Sequence, residues 1–337
     1  MVCLVIFQVA GMQGRGAISE WEVIDALWRY FTRDPEEILG VYDDASAAKV
    51  GGSYIVINLD VFDEISDRLP GMGFYDVGWK SIVMALSDVA AKGARPKACM
   101  IGLGLPKGVG IEEVHALAKG LRDAARRYGA SIWGGDVGFT DHLYVSVTTL
   151  GIGERLVSRS GARPGDAVVT TGTYGLTAAA YKILLKGLRP LPDERALNEA
   201  LKSAYRPEPK MGLWSIVLEH ATAAIDSSDG LAISLHYLAE RSNVAIVVNN
   251  VPIAESAMSL FDYWGIDPLS ASLYEGGEEF ELIATVPGGS ASRVVEEAAA
   301  KGLRVEVIGY VEEGEGVYLE RNGERIPVER KGWVHVG

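Results

Sequence analysis

Acidic residues close apolar runs at four places in this chain: Asp43-Asp44 after Ile38-Leu39-Gly40, Asp60 after Tyr54-Ile55-Val56-Ile57, Asp136 after Ile132-Trp133-Gly134-Gly135, and Asp226 with Asp229 after Ala223-Ala224-Ile225. A carboxylate at the end of a buried strand is held rigidly yet opens on a cleft. Several converging there repel one another unless divalent cations neutralise them, so the pattern predicts a multi-metal phosphate site. Any one of these aspartates taken alone is more often a helix cap or a turn residue. The set as a whole is not accounted for in that way.

Two segments sharpen the reading. Ile225-Asp226-Ser227-Ser228-Asp229-Gly230-Leu231 puts two carboxylates and a hydroxyl at a strand-to-helix junction, where the helix N-terminus adds N–H donors for an anion. Ser228 or Asp229 as a plain N-cap leaves the second acid unexplained. Gly276-Gly277-Glu278-Glu279-Phe280-Glu281-Leu282 repeats the design with glutamates, although Glu281 alternates with apolar neighbours and reads equally as a solvent-facing residue on an edge strand. Gly134-Gly135-Asp136 combines glycines that admit a phosphate with a carboxylate for a cation, and is also an ordinary turn. No GxxxxGK[ST] loop occurs, so any nucleotide phosphates must be held another way.

The elements that position these groups follow from periodicity. Ser19-Glu20-Trp21-Glu22 is a capping box opening a helix over about 20–32. Ser53 to Leu59 reads as a buried strand ending at Asp60, and a helix over Asp76 to Lys92 carries Asp88. Lys97 to Leu105 reads as a strand and Ile111 to Tyr128 as a helix; Ser131 to Trp133 starts a strand that breaks at Gly134, and Leu143 to Ile152 is another strand. Polar, turn-rich Arg159 to Asp166 places a domain boundary near 156, giving domains 1–155 and 156–337. Beyond it, strands are expected at Ala167 to Thr171, up to Asp226, at Ala245 to Val248, Glu279 to Val286, Val305 to Tyr310 and Gly316 to Glu320, with helices at Leu176 to Lys186, Leu231 to Glu240 and Glu255 to Trp264. Arg189 to Lys210 reads as a connection. The fold class is α/β, in two domains.

A chain of 337 residues, 48% hydrophobic and 23% charged, is globular with a sizeable core. Its net charge of -13 argues against sequence-independent binding to nucleic acid or anionic membranes. Cys3 and Cys99 are its only cysteines and its five histidines form no HExxH, so a reducing, cytoplasmic location is expected and zinc is not. Met1 to Ala10 is too short to span a bilayer and reads as an extra strand or as sequence upstream of a start near Met12.

In order, Asp43-Asp44-Ala45, Asp60, Leu86-Ser87-Asp88, Leu103-Gly104-Leu105-Pro106, Gly134-Gly135-Asp136, the Arg159-Ser160-Gly161-Ala162-Arg163-Pro164-Gly165-Asp166 loop, the Asp226 to Leu231 segment and the Gly276 to Leu282 segment resemble the thiamine-monophosphate kinase family. That family belongs with aminoimidazole ribonucleotide synthetase. The resemblance runs from about Ile18 to His335 and implies that Asp43, Asp44, Asp60, Asp88, Asp136, Asp226 and Asp229 bind several Mg²⁺ ions bridging ATP and the substrate phosphate. It also implies that Gly135, Asp136, Arg159 and Ser228 touch ATP, that Glu278 and Trp333 face the thiamine moiety, and that the chain forms a homodimer whose N-terminal sheets join into a barrel. Where bacterial members have Thr-Thr, Asn and a His, this chain has Asn58-Leu59, Ala85 and Asp67; the acidic Asp67 resembles the archaeal branch and is expected at the substrate. Val137-Gly138 stands where the family has a Thr pair.

The activity so implied is in-line transfer of the ATP γ-phosphoryl group to thiamine monophosphate without a catalytic base, Arg159 stabilising charge. The alternatives are another ATP-dependent member of the superfamily, a ligase or dehydratase, or a non-catalytic relative that binds nucleotide.

Overall fold

The computed structural model describes residues 20–189 and 193–332; the strand expected over Met1 to Ala10 lies outside them. The first half opens with α1 (Glu20–Trp28) and contains β1 (Ser46–Val50), β2 (Ser53–Asp63), β3 (Arg95–Pro106), β4 (Ser131–Thr140) and β5 (Tyr144–Gly153), with α2 (Glu64–Asp67), α3 (Phe74–Ala91) and α4 (Ile111–Arg127) between them. These strands make an open sheet in the order β1-β2-β5-β3-β4, in which only β3 and β4 run parallel. Within one chain the sheet does not close into a barrel.

The second half holds β6 (Asp166–Thr171), β7 (Ala223–Asp226), β8 (Ala245–Val248), β9 (Leu282–Pro287), β10 (Val305–Glu312), β11 (Gly316–Arg321) and β12 (Glu324–Pro327). Its helices are α5 (Leu176–Leu184), α6 (Glu194–Tyr205), α7 (Ser215–Leu218), α8 (Leu231–Ser242), α9 (Glu255–Trp264), α10 (Pro268–Tyr274) and α11 (Ala291–Ala300). The seven-stranded sheet is mixed, ordered β12-β11-β8-β10-β6-β9-β7. No described helix is long and apolar enough to cross a membrane.

Helix α3 joins the halves. Val77 to Ser87 is buried without interruption, as expected of a helix apolar on nearly every side, with the first sheet, α4 and β7 packed around it. Its crossing with α4 is tight because both helices present glycine there. A Cβ on Gly120 would lie 2.0 Å from the Tyr75 carbonyl oxygen, and one on Gly78 would lie 2.3 Å from that of Leu117.

Four expectations are corrected. β2 runs past Asp60 to Asp63, because β5 pairs with it as far as Tyr144, so Asp60 sits inside the strand. β4 continues through Gly134 to Thr140 because β3 pairs alongside, and Gly135 is where the Ile101 carbonyl comes too close for any side chain. The stretch read as a connection contains α6, capped by Asp193 and burying Ala196, Ala200 and Ala204 along one stripe. The strand expected from Glu279 starts only at Leu282, since Glu278 and Phe280 have φ of 60° and 50°, left-handed conformations that no strand accommodates.

Gly120→Ala tests the crossing. Helix propensity alone would raise stability by up to about 1 kcal/mol, whereas overpacking against a backbone carbonyl should lower it by about 1–3 kcal/mol. Urea denaturation is expected to show the loss, and an unchanged or higher midpoint would refute the tight contact.

Candidate active site

Asp44 in the loop before β1, Asp88 on α3 and Asp226 at the end of β7 offer carboxylate oxygens that all lie within 4.8 Å of one another. Asp43, Asp60, Arg159, Ser228, Asp229 and Glu278 line the same cleft, whose volume is about 200 Å³. Thus three separate stretches of sequence and both sheets build one acidic cluster. Alternation along β2 turns Asn58 and Asp60 to the face that packs on α3, where the Asn58 amide donates to Asp88. The departure from Thr at position 58 therefore supplies a donor to a cluster acid. Ser87 Oγ donates to Asp226 Oδ2 at 2.7 Å.

Two buried cations offset the acids. Lys92 Nζ lies 2.7 Å from Asp43 Oδ1 and 2.6 Å from Asp44 Oδ2, and donates to the Ala224 carbonyl at 2.8 Å. Arg159 pairs with Asp44. Burial opposes the charge on Asp43, but Lys92 and Arg159 outweigh it and hold that carboxyl below its usual range. Asp88 is the opposite case: burial, then Asp226, Asp44 and Asp60, push its carboxyl well above the ordinary range, and burial followed by Asp44 lifts Asp226 to about 6. Carboxylates this close, with hard oxygen donors and more negative charge than Lys92 and Arg159 cancel, fit divalent cations such as Mg²⁺. Asp43 is differently engaged: besides Lys92 it accepts from Ser158 Oγ at 2.9 Å and the Arg159 backbone at 3.0 Å, so it fixes the Arg159 loop.

The Asp226 to Gly230 junction is not used as a side-chain cap. Gly230 is the N-cap of α8 and no side chain caps it, which leaves Ser228 and Asp229 on the cleft wall. Opposite, Glu278 is held in its left-handed conformation by its own N–H, which donates to the Ser228 carbonyl at 2.6 Å, and by Lys80 Nζ and the Tyr181 hydroxyl, each 2.6 Å from Oε2. Its Oε1 is buried without a hydrogen-bond partner, so one oxygen is committed and the other is left for a ligand. Sequence reasoning missed Lys80 and Tyr181; a lysine inside the otherwise apolar run of α3 was the available signal.

A second cavity of about 330 Å³ adjoins the acidic cleft and shares Val41, Asp43 and Arg159 with it. It is basic, lined also by Arg33 and Arg241, and the Nε atoms of Arg159 and Arg241 are buried without a partner. Arg241 stacks on the Tyr42 ring at 4.2 Å. Nothing in sequence spacing marked Arg33 and Arg241 as neighbours of Arg159.

Other expected site residues are not gathered there. Asp60 shares a row with Val147, Ile101 and Gly135, while Asp136 lies in the next row with Val61, Ser146 and Gly102. Successive rows face opposite sides, so Asp136 is on the outer face, on an exposed edge strand, and Gly135 serves strand pairing. Asp67 is buried within its own turn, accepting from the Asp63 N–H at 2.7 Å and Ser66 Oγ at 2.6 Å, and does not line the cleft. Trp333 lies outside the described residues.

Comparison with known proteins gives this geometry its context. Residues 42–153 match the N-terminal domain model of AIR synthase related proteins and residues 163–322 match the C-terminal one. Thiamine-monophosphate kinase of Pyrococcus abyssi is 31% identical over 322 residues, covering 95% of this chain and 96% of that protein. The chain belongs to the thiamine-monophosphate kinase family. The Halobacterium salinarum kinase is 35% identical over 292 residues, covering 86% of this chain and 93% of its own. A solved structure described as AaThiL complexed with AMPPCP and TMP superposes with a TM-score of 0.81 at 29% identity, covering 94% of this chain and 97% of that one. The hydrogenase maturation protein HypE of E. coli, at 19% identity and a TM-score of 0.68, shares the fold.

Two expectations arise from the buried acids around Glu278. Burial lifts Glu279 and Glu281 to about 7 each, against an ordinary value of 4.5, so the folded protein retains protons that the unfolded chain releases. Their contribution to stability is full below pH 4.5 and is lost as pH rises through 7. Glu281→Gln should flatten the decline in Tm between about pH 5 and 8; a profile parallel to wild type would count against it. Lys80→Met strands a buried carboxylate and should cost about 3–5 kcal/mol. Adding Glu278→Gln should recover most of that loss in denaturant melts, and failure to recover would show that Lys80 matters for packing alone.

Proposed function

We propose that the chain transfers the γ-phosphoryl group of ATP directly to the phosphate of thiamine monophosphate, giving thiamine diphosphate. One observation carries the reading: in a member of this kinase family, the Asp44, Asp88 and Asp226 cluster opens beside a cavity in which Arg159 and Arg241 have unused guanidinium nitrogens. Acids suited to cations, set against unpartnered arginines, are what a polyphosphate with its counter-ions requires. A phosphate oxygen of the acceptor is ionised near neutral pH and attacks without a base. No histidine or cysteine lines the acidic cleft among the described residues, which agrees.

Asp44, Asp88 and Asp226, with Asp60 and Asp229 on the same walls, would hold Mg²⁺, which supplies charge neutralisation and a template for in-line displacement. Arg159, now paired with Asp44, can exchange that partner for phosphate oxygens without leaving the cleft. Ser228 stands on the same wall, and Glu278 offers its open oxygen as the acceptor for a donor on the thiamine moiety. Residues 1–155 would carry most cation ligands, and 156–337 would close the site with Arg159, Asp226 and Glu278.

A homodimer is part of this reading. Ile57, Leu59 and Met100 are exposed on the first sheet, and Trp133, Val137 and Phe139 are 64%, 59% and 72% exposed along its open edge β4, surfaces that a second copy would cover. Any cation role for Asp136 would arise on that covered face.

A coupled ADP assay over phosphorylated acceptors tests the activity. ADP formation is expected only with thiamine monophosphate and is abolished by a chelator, while Asp226→Asn should lower kcat on the order of 100-fold or more with the fold intact. Turnover only with an amide- or carbonyl-bearing ribonucleotide, or none with any acceptor, would replace the proposal with a ligase or a binding protein.

A further inference from the structure

A large space that the proposed activity does not use lies on the other side of α3 from Asp88 and Lys92. It is a cavity of about 450 Å³, more than twice the volume of the acidic cleft at about 200 Å³. One wall comes from the first half: Ala90, Gly93 and Ala94 with the start of β3 from Arg95 to Lys97, Ile152 on β5, and Tyr128-Gly129 at the end of α4. The other comes from the second half: Met211, Gly212 and Trp214, continuing into α7. Anything bound here touches both halves of the molecule.

The hydrogen-bonding state of its lining is one-sided. Trp214 is 1% exposed, yet its indole N–H is buried without an acceptor, and the Tyr128 hydroxyl is likewise buried without a partner. An unmade bond at a buried donor costs about 1–3 kcal/mol. Indole is a donor only, and burial, followed by the charge of Glu208, pushes the Tyr128 phenol upward, so it keeps its proton. The carbonyls at the two helix ends bordering the space are already engaged. Ala90 O accepts from Gly93 N at 3.0 Å, Ala125 O from Ala130 N at 2.9 Å, and Arg126 O from Gly129 N at 3.2 Å. At the rim stand Arg95 and Lys97, both exposed and without an ion pair among the described residues. Glu208, the acid acting most strongly on Tyr128, is itself paired with Lys202 at 2.9 Å.

Two buried donors, satisfied carbonyls and two unpaired cations around one pocket ask for an acceptor with negative charge. We propose that this interdomain cavity is a second ligand site, separate from the phosphoryl-transfer cleft, that takes a small organic anion whose carboxylate or phosphate oxygens meet Trp214 and Tyr128 while Arg95 and Lys97 face its charge. The volume falls within the range of small-molecule sites, roughly 300–1,000 Å³. The site does not depend on the kinase assignment, since none of its lining residues belongs to the acidic cluster.

Binding is measured by calorimetry on the full chain with citrate and, separately, inorganic phosphate as probes. The protein is first freed of divalent ions by gel filtration, and each titration is repeated on Arg241→Ala, because the basic cavity beside the acidic cleft also offers unpartnered arginine nitrogens to an anion. Saturable binding of at least one probe is expected, weakened at least tenfold by Trp214→Phe and by Arg95→Ala with Lys97→Ala, and retained in Arg241→Ala. The rim variant alters only exposed residues and decides the matter should Trp214→Phe fail to fold. Absence of binding, or binding that survives both changes, overturns the proposal and leaves the space to water.

Discussion

Like charges held at contact distance govern this molecule. Three carboxylates whose oxygens approach within 4.8 Å cannot all ionise in a half-buried cleft without compensation, and the surroundings of Asp44, Asp88 and Asp226 are organised to supply it. Lys92 and Arg159 neutralise part of the charge, while burial and the neighbouring acids push the Asp88 carboxyl well above its ordinary range. What remains is more negative charge than the two cations cancel, and the proposed binding of a cation-bound polyphosphate rests on that excess. The same arrangement explains why Asp43 is built into the wall. Its oxygens tie Lys92 to the Arg159 loop, so the cationic and acidic parts of the site are positioned by one another.

Helix α3 is the mechanical counterpart of this constraint. It carries Lys80, Ser87 and Asp88, with Lys92 as its C-cap, so one rigid element touches Glu278, Asp226 and Asp44 on elements from both halves of the chain. Its burial requires the glycine crossing with α4, because a helix apolar on nearly all sides must be covered on nearly all sides. The left-handed residues Glu278 and Phe280 belong to the same design. Their backbone is unfavourable for residues with a Cβ, and it persists because Ser227, Ser228, Lys80 and Tyr181 over-determine it. Strain is thus held beside the cleft, where it aims one carboxylate oxygen at the site.

The alternation of strands and helices was legible because β-branched runs and amphipathic periods are local signals, and the acidic motifs were legible because they interrupt those runs. Elements whose signal is weak were not. Helix α6 is amphipathic, but its buried stripe consists of the small residues Ala196, Ala200 and Ala204 and it follows Pro190 and Pro192, so the stretch reads as a connection. β4 contains two consecutive glycines that read as a break, yet pairing with β3 carries the strand through them. Glu281 looked like an alternating strand residue, but the positive φ at Phe280 turns it inward to Thr171.

By itself, the amino-acid order determined which side chains can do chemistry: the aspartates that close apolar runs, Arg159 in its turn-rich loop, and Glu278 after paired glycines. Residue type and local pattern suffice for that. Only the tertiary structure decided membership in the site. It brought Lys80, Lys92 and Tyr181 against the cleft's acids and Arg241 to the basic cavity beside them, turned Asp67 into its own turn and put Asp136 on the opposite face of the sheet from Asp60. The reason is geometric. Which face a strand residue takes depends on register across the whole sheet, and which charge meets which depends on how the two sheets pack around one helix, and neither is encoded within any short stretch of chain.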